Sequence, residues 1–548
     1  MFKLLIIIII VLATLVIKCS SIEEKSKTAL FISIPFIGHL NPLLRQANEL
    51  YQRNGNKYNI YIISCSNMKK HAERNCLNTT IKFIDIGQCS NETELELVTN
   101  NAIINPNSFS SKLTLVEIIL KKIYPQMYEQ AMKSINPNIF VAQEKIIAII
   151  DIITFAGVDI ADYFNIPYII NNADLLPYLS WYDVLPSDYN PTILHHPPQS
   201  IHTIERNLFL RTILPITRCL LTIYTYVQFD RPLDYIRQNK FHLNNSVNFV
   251  SRYYSHMILV NSVFGIEYAQ HLPPYVQCTG PMFSVKRTSD YYLKQLLDED
   301  RQWLEMDSRP IIYINFGTVV LLTTEQIEKI YLTIKSFDKY RVIWKLNQIY
   351  DFPTELPSRI RIVPWISSTL GYLAHPNVQL FLSHCGINSA YESIWLGTSI
   401  LCIPFLGDQH DMAQRLIDAN VGRSLDKLTF TPEELRETVE IMFKEDEILF
   451  RQENIKRIQR IIRLQGGVER AVDLIEMVAD YGFQAFIPIE NSYPWYVYYN
   501  FDVYTIWLLS SLAILQFILR CCCCCCCCCS YYRRRTRSDE TSIKMKTS

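Results

Sequence analysis

Short apolar runs recur along the chain, separated by longer helix-like stretches. In the first half the runs are Ala29–Pro35, Tyr58–Ser64, Ile81–Ile86, Ile146–Asp151 and Tyr168–Asn171. They are β-branched, continuous rather than alternating, and end in polar or turn residues, a pattern that suits parallel strands covered on both faces. Leu43–Arg53 and Leu113–Lys133 read as intervening helices. The same order restarts at Pro310. Pro310–Gly317, Arg341–Leu346, Arg361–Trp365, Val378–His384 and Ser399–Phe405 read as strands. Glu325–Lys335, Ser389–Gly397 and Gln409–Asn420 read as helices, and helical segments continue from Pro432 to Tyr481. This alternation predicts an α/β fold with two doubly wound, Rossmann-like halves, joined through the polar stretch from Pro281 to Arg309. Two such halves facing each other would leave a cleft at the carboxyl ends of both sheets, the usual ligand position. Asn207–Phe229 is strongly apolar, but Arg211, Pro215 and Arg218 interrupt it. It reads as a cap beside a pocket, a surface resting on a membrane, or a proline-kinked core helix, rather than as a membrane span.

The two ends predict a compartment. Lys3 precedes an apolar run from Leu4 to Ile17, and Lys18-Cys19-Ser20-Ser21 follows. This is the pattern of a secretory signal peptide over residues 1–21, with an uncleaved anchor as the other reading. Val503 to Leu519 carries no charge; at ~1.5 Å per residue it is ~25 Å long, the short end of a membrane span. Arg533, Arg534, Arg535 and Arg537 lie beyond it, and clustered arginines favour the cytosolic side. The expectation is a single-pass type I membrane protein of the endoplasmic reticulum or secretory pathway, with the body lumenal. The sequons at Asn78, Asn91 and Asn244 agree with that.

Composition narrows the classes. The chain has 548 residues, 49% of them hydrophobic, with 53 basic and 53 acidic side chains. So apolar a chain is not globally disordered, and it lacks the basic excess of a nucleic-acid binder. Of 17 cysteines, Cys521 to Cys529 form one run and the others stand singly. No CxxC pair exists outside the run, so structural zinc is not expected; no metal is expected for the chemistry either, since positioned donors can carry developing charge. The run reads as a juxtamembrane S-palmitoylation site or as plain apolar low complexity. Cys65, Cys76 and Cys89 are close enough in sequence to form one loop bridge, although sequence does not choose the pair.

The densest chemistry lies between Arg361 and Asp411. A strand ending at His384 runs into the turn Cys385-Gly386, and a helix starts near Asn388 or Ser389. Exposed amides at such a start favour an anion, and His384 adds a donor, so a phosphate or diphosphate would bind well. Glu392 is placed to accept from sugar hydroxyls. Trp365 offers a flat face for a base, and Asp408-Gln409 offers a carboxylate and an amide to a polyol.

Here the sequence resembles the UDP-glycosyltransferase family, in its membrane-bound UDP-glucuronosyltransferase-like branch. The resemblance rests on Trp365, Ala374-His375-Pro376, Ser383-His384-Cys385-Gly386-Ile387-Asn388-Ser389, Glu392-Ser393, Pro404 and Asp408-Gln409. Tyr313–Thr318, Asn261-Ser262 with Glu267, Gly280-Pro281 and the aromatic stretch from Trp495 extend it over about residues 29 to 520. It implies a GT-B fold, in which two Rossmann-like domains face each other, followed by a single C-terminal transmembrane helix. It implies Trp365 stacked on uracil and Glu392 on the ribose. His384, Gly386, Asn388, Ser389 and the Gly317-Thr318 turn would hold the diphosphate, and Asp408 and Gln409 the transferred sugar. No cofactor is implied beyond the UDP-sugar co-substrate. One position departs: the family's Trp-x-Pro-Gln is here Trp365-Ile366-Ser367-Ser368.

In the first half, Pro35 to Pro42 resembles the family's Gly-His turn, with His39 at a strand end. A glycosyl transfer needs a base for the acceptor hydroxyl, and histidine, with an ordinary pKa of ~6.5, suits it. Asp151 ends another strand of the same sheet and matches the family's partner carboxylate. The expected domains are the signal peptide (1–21), an acceptor domain (22–285), a linker (286–309), a UDP-sugar domain (310–485), a juxtamembrane segment (486–502), a membrane helix (503–527) and a basic tail (528–548). The expected reaction is inverting transfer of glucose or glucuronic acid to a lipophilic small-molecule hydroxyl. A membrane-anchored binding protein without efficient catalysis, and a sterol or lipid transferase, stand as other readings. Self-association is left open.

Overall fold

The computed structural model describes residues 27–76, 80–89, 117–136, 145–175, 208–209, 212, 220, 223–224, 226–243, 256–269, 272–318, 320–352, 356–498 and 500–544. The signal peptide, the three sequon asparagines and most of 207–229 lie outside the described residues.

Every run read as a strand is a strand. The first sheet contains β1 (Lys27–Ile32), β2 (Tyr58–Ser64), β3 (Lys82–Asp85), β4 (Ile146–Asp151), β5 (Tyr168–Asn172), β6 (Ile258–Val260) and β7 (Val276–Cys278). The second contains β8 (Ile311–Asn315), β9 (Arg341–Lys345), β10 (Ile360–Val363), β11 (Val378–Ser383), β12 (Ser399–Cys402) and β13 (Gly422–Ser424). The spatial orders are β3-β2-β1-β4-β5-β6-β7 and β10-β9-β8-β11-β12-β13. All neighbours pair parallel. The order reverses between β1 and β4 in one sheet and between β8 and β11 in the other. The short strands β6, β7 and β13 escape sequence reading because three residues are too few to set a strand apart from other short apolar or mixed segments.

Double coverage explains the continuous apolar pattern. Ile311 and Tyr313 pack with Ile455, Ile458 and Ile462 on one face of the second sheet. Ile312 and Ile314 pack with Ile327, Ile330 and Val439 on the other. Alternate residues of one strand thus enter opposite cores, so the middle of the strand is apolar on both faces.

Three segments differ from the sequence expectation. The first helix spans Ile37–Asn54, starting before Pro42 rather than after it. His39 therefore lies in the helix's first turn and not in a preceding loop. The expected linker holds two short helices, Ser289–Leu293 and Asp298–Glu305. The last helix of this unit, Gly467–Tyr481, packs Ala471, Val472 and Ile475 onto Ala29, Phe31 and Leu43 of the first sheet's core. Lys27 pairs with Asp480 at 2.7 Å beside it.

Residues 487–548 form a separate unit. Its helix runs from Phe501 to Lys544, straight through the cysteine run. Within it Phe501–Cys522, 22 residues of mean hydropathy 1.7, is unburied. Among the described residues this is the one helix long and apolar enough to cross a membrane.

Candidate active site

The reversal point of the first sheet carries His39 and Asp151. His39 follows β1, Asp151 ends β4, and a doubly wound sheet opens its crevice between two such strands. His39 Nδ1 lies 2.8 Å from Asp151 Oδ1. A carboxylate only accepts, so Nδ1 carries the hydrogen and Nε2 keeps its lone pair. Asp151 is itself held. Thr154 Oγ1 donates to its Oδ2 at 2.9 Å, and the Ile34 amide donates to that same Oγ1 at 2.9 Å. The Asp151 side chain is 4% exposed and that of His39 is 32% exposed, so the imidazole faces the cleft and its partner does not. Burial pulls the His39 pKa down. The charge and hydrogen bond of Asp151, with the more remote charges of Asp408 and Asp174, outweigh it and leave the pKa above 6.5.

The reversal point of the second sheet carries the predicted anion site. Asn315 Oδ1 accepts from the Gly317 amide at 2.9 Å, closing the turn after β8. Gly317 sits at φ +83°, and a Cβ there would lie 2.9 Å from His384 Cε1. At Gly386 a Cβ would lie 2.7 Å from His384 Nε2. Both glycines are needed to let the imidazole lie between them. Burial, aided by the charge of Lys345 and opposed by a backbone hydrogen bond at Asn315, pushes the His384 pKa down to about 4. The ring is therefore neutral at working pH. Cys385, at φ +58°, is disulfide-bonded to Cys402 at the end of β12, tying this turn to the neighbouring strand. The helix Ile387–Leu396 starts here with no side-chain cap on its amino end. First-turn amides beyond that of Ile387 are suited to an anion.

The remaining predicted residues divide. Thr318 is exposed beside Gly317, and Ser389 is half-buried in the helix's first turn. Trp365 lies just beyond β10 with 64% of its surface exposed. Asp408 Oδ2 accepts from the Ile387 amide at 3.4 Å, which brings it to the same helix start. Gln409 is buried, and its Oε1 accepts from the amides of Phe405 and Leu406 at 2.9 and 3.1 Å. That oxygen holds the loop after β12. Glu392 Oε1 is bonded to Arg45 Nη2 of the first half at 2.6 Å. Asn388 Nδ2 donates to the Gly38 carbonyl at 3.0 Å, so the two reversal points meet across the cleft one residue from His39. Ser368 caps the helix Thr369–Ala374, accepting from the Gly371 amide at 3.0 Å and donating to Gln295 Oε1 at 2.9 Å.

Sequence reasoning missed Lys345. It ends β9, its ammonium lies 5.1 Å from the Trp365 ring centre, and it donates to the Gly317 carbonyl at 3.3 Å. Burial lowers its pKa from the ordinary lysine value. A lone polar residue closing an apolar strand run, at the carboxyl edge of a doubly wound sheet, was the signal available.

Comparisons with known proteins bear on this arrangement. The family described as "UDP-glucoronosyl and UDP-glucosyl transferase" matches residues 44–536. A UDP-glycosyltransferase of Aspergillus ustus, stmC, is 29% identical over 251 residues, 41% of this chain and 46% of that protein. An anthocyanidin 3-O-glucosyltransferase of Solanum melongena is 29% identical over 167 residues, 29% of this chain and 38% of that one. The alignments thus span less than half the length of these relatives. A UDP-glucosyltransferase structure from Polygonum tinctorium superposes with TM-score 0.56 at 15% identity, covering 83% of this chain and 99% of that one. That likeness is one of fold.

Proposed function

Because the chain belongs to the UDP-glucuronosyl and UDP-glucosyl transferase family, we propose that it transfers a hexose from a UDP-sugar to the hydroxyl of a lipophilic small molecule, with inversion. The observation that carries this reading is the Asn388–Gly38 contact, which sets the anion-binding helix start beside the His39–Asp151 pair. His39 Nε2 takes the acceptor proton while the acceptor oxygen attacks the anomeric carbon. The bond from that carbon to the diphosphate oxygen breaks, and its electron pair leaves with UDP. Asp151 stabilises the imidazolium that forms, and proton removal of this kind is worth ~10²–10⁴-fold in rate.

The leaving diphosphate would be met by the amides at the Ile387–Leu396 start, the Gly317-Thr318 turn, neutral His384 and Lys345. Positioned donors of this kind can carry the developing charge without a metal. Trp365 would stack on uracil, Glu392 would bind the ribose and Asp408 the sugar. Gln409 would act on the sugar only through its amide nitrogen. The hexose would be glucose or glucuronic acid. The Solanum relative's name, an anthocyanidin 3-O-glucosyltransferase, supports a small-molecule hydroxyl acceptor.

The same reading puts the body in the secretory lumen, anchored by Phe501–Cys522. The disulfides Cys65–Cys89 and Cys385–Cys402 support it, because such bonds persist in oxidising compartments. Release of the chain from membranes by alkaline carbonate would remove the anchor from this proposal.

The deciding experiment is a UDP-release assay across donor sugars with a panel of lipophilic hydroxyl compounds. Turnover should survive EDTA, and it should be lost in His39→Ala while UDP still binds. Absence of release with every pair, from protein that binds UDP, would instead favour a binding protein. Near-normal turnover in His39→Ala would remove His39 from the mechanism.

A further inference from the structure

Two helices from opposite halves, Ile37–Asn54 and Ile387–Leu396, are joined over the cleft by hydrogen bonds at two points. Pro42 lies inside Ile37–Asn54 and has no N–H, so the carbonyl four residues back, that of Gly38, loses its helical donor. Asn388 Nδ2 supplies that donor from across the cleft at 3.0 Å. Arg45 makes the second point. Its Nη2 donates to Glu392 Oε1 at 2.6 Å, and its Nη1 donates at 3.4 Å to the carbonyl of Met282, in the chain between the halves. Asn388 and Glu392 are four residues apart and share one helix face; Gly38 and Arg45 are seven apart and share another. The Glu392 side chain is 10% exposed and that of Arg45 is 27% exposed, so the pair closes the inner wall of the cleft and is not a surface pair.

We propose that Arg45 is a positioning residue of the donor site, fixing the Glu392 carboxylate from the opposite half so that it can receive the two ribose hydroxyls. A carboxylate has about four acceptor sites, so one bond from Arg45 leaves room for both hydroxyl donors. A guanidinium also fixes the orientation of the carboxylate it binds, which free rotation would not. Arg45 shares its helix with His39. Seating the nucleoside therefore also registers the base over the sugar, and the proline-freed Gly38 carbonyl adds the second point of that registration. The inference rests on the reading of Glu392 as the ribose ligand.

The test uses the full-length protein in detergent and two probes, UDP and 2′-deoxy-UDP, with Kd measured by calorimetry. Wild type should prefer UDP by about 10-fold, as expected for losing one hydroxyl bond to a charged acceptor. Arg45→Met should weaken UDP about 10-fold, the usual loss when the group orienting a ligand is removed. It should leave 2′-deoxy-UDP within about 3-fold of wild type, so the preference collapses. In turnover, KM for the donor should rise by the same factor as the UDP Kd, with kcat changed less. Arg45→Gln serves the same comparison if the methionine variant does not fold.

Equal weakening of both probes would reduce Arg45 to a structural part and overturn the proposal. An intact preference in the Arg45 variants, with the preference lost in Glu392→Gln, would also overturn it while leaving Glu392 as the ribose ligand. An intact preference in Glu392→Gln would remove the ribose reading itself, and the proposal with it.

Discussion

His39 shows how a side chain acquires a role from its partners. Burial lowers its pKa, the Asp151 contact more than restores it, and the result lies above the ordinary value of 6.5. A base must be unprotonated to act, so the rate should rise with pH along a limb centred above 6.5 and level off on the alkaline side. Asp151→Asn keeps the shape but removes the charge. Its limb should move to lower pH, and its plateau should fall by about 10²-fold or more because the imidazolium loses its stabiliser. A pH profile of kcat/KM checks both, and an unmoved limb would detach Asp151 from the base. Asp151 was legible in the sequence because it closes a strand at the cleft edge, and His39 because it follows the first strand closely, although it lies in the first turn of the next helix. Arg45 was not, since an arginine in mid-helix looks like any solvated cation until its partner is seen.

At the scale of elements, the proposed donor site is a set of strand ends joined by tight turns. Gly317 has two reasons to be glycine, its φ of +83° and the His384 ring 2.9 Å from any Cβ. Neither the ring nor the turn can yield without moving the donors proposed for the diphosphate. Gly317→Ala should therefore weaken UDP binding by more than about 10-fold, while melting of the whole chain changes by only a few degrees, as for ordinary single substitutions. Unchanged UDP affinity in that variant would show that the turn does not touch the nucleotide. The element ends were the least legible part. The helix that bears His39 begins before Pro42, because its N-terminal turns tolerate the missing bond when a neighbour supplies a donor. Ser368, short for the family pattern, is accounted for locally as a helix cap.

Across the whole molecule, the halves also share a buried ion cluster. Arg415 Nη1 lies 3.3 Å from Asp174 Oδ2 and 3.1 Å from Glu267 Oε1, one guanidinium between two carboxyl groups. Burial raises the Asp174 pKa to about 8; Arg415 opposes this, and Glu267, Asp408 and Asp411 add to it. An unfolded aspartate titrates at ~3.9, so between these values the native state binds a proton that the unfolded chain does not. The stabilisation this gives is complete below ~3.9 and is lost as pH rises through about 8. Melting temperature should fall over that window, and Asp174→Asn should flatten the slope. A thermal-shift series from pH 5 to 8.5 on wild type and variant reads this, and parallel slopes would clear Asp174 of the effect.

By itself the sequence determined the two parallel sheets, the apolar C-terminal helix and the residues at the strand ends. Apolar periodicity and turn chemistry are local, and they survive without knowledge of what packs on what. Tertiary structure alone decided the Cys385–Cys402 bond within the second half and what crosses between the halves: Asn388 on Gly38, Arg45 on Glu392, the Arg415 cluster and the return of Gly467–Tyr481 to the first sheet. Contacts between residues far apart in the chain depend on how two faces orient in space, and no local pattern of hydrophobic and polar positions encodes that orientation.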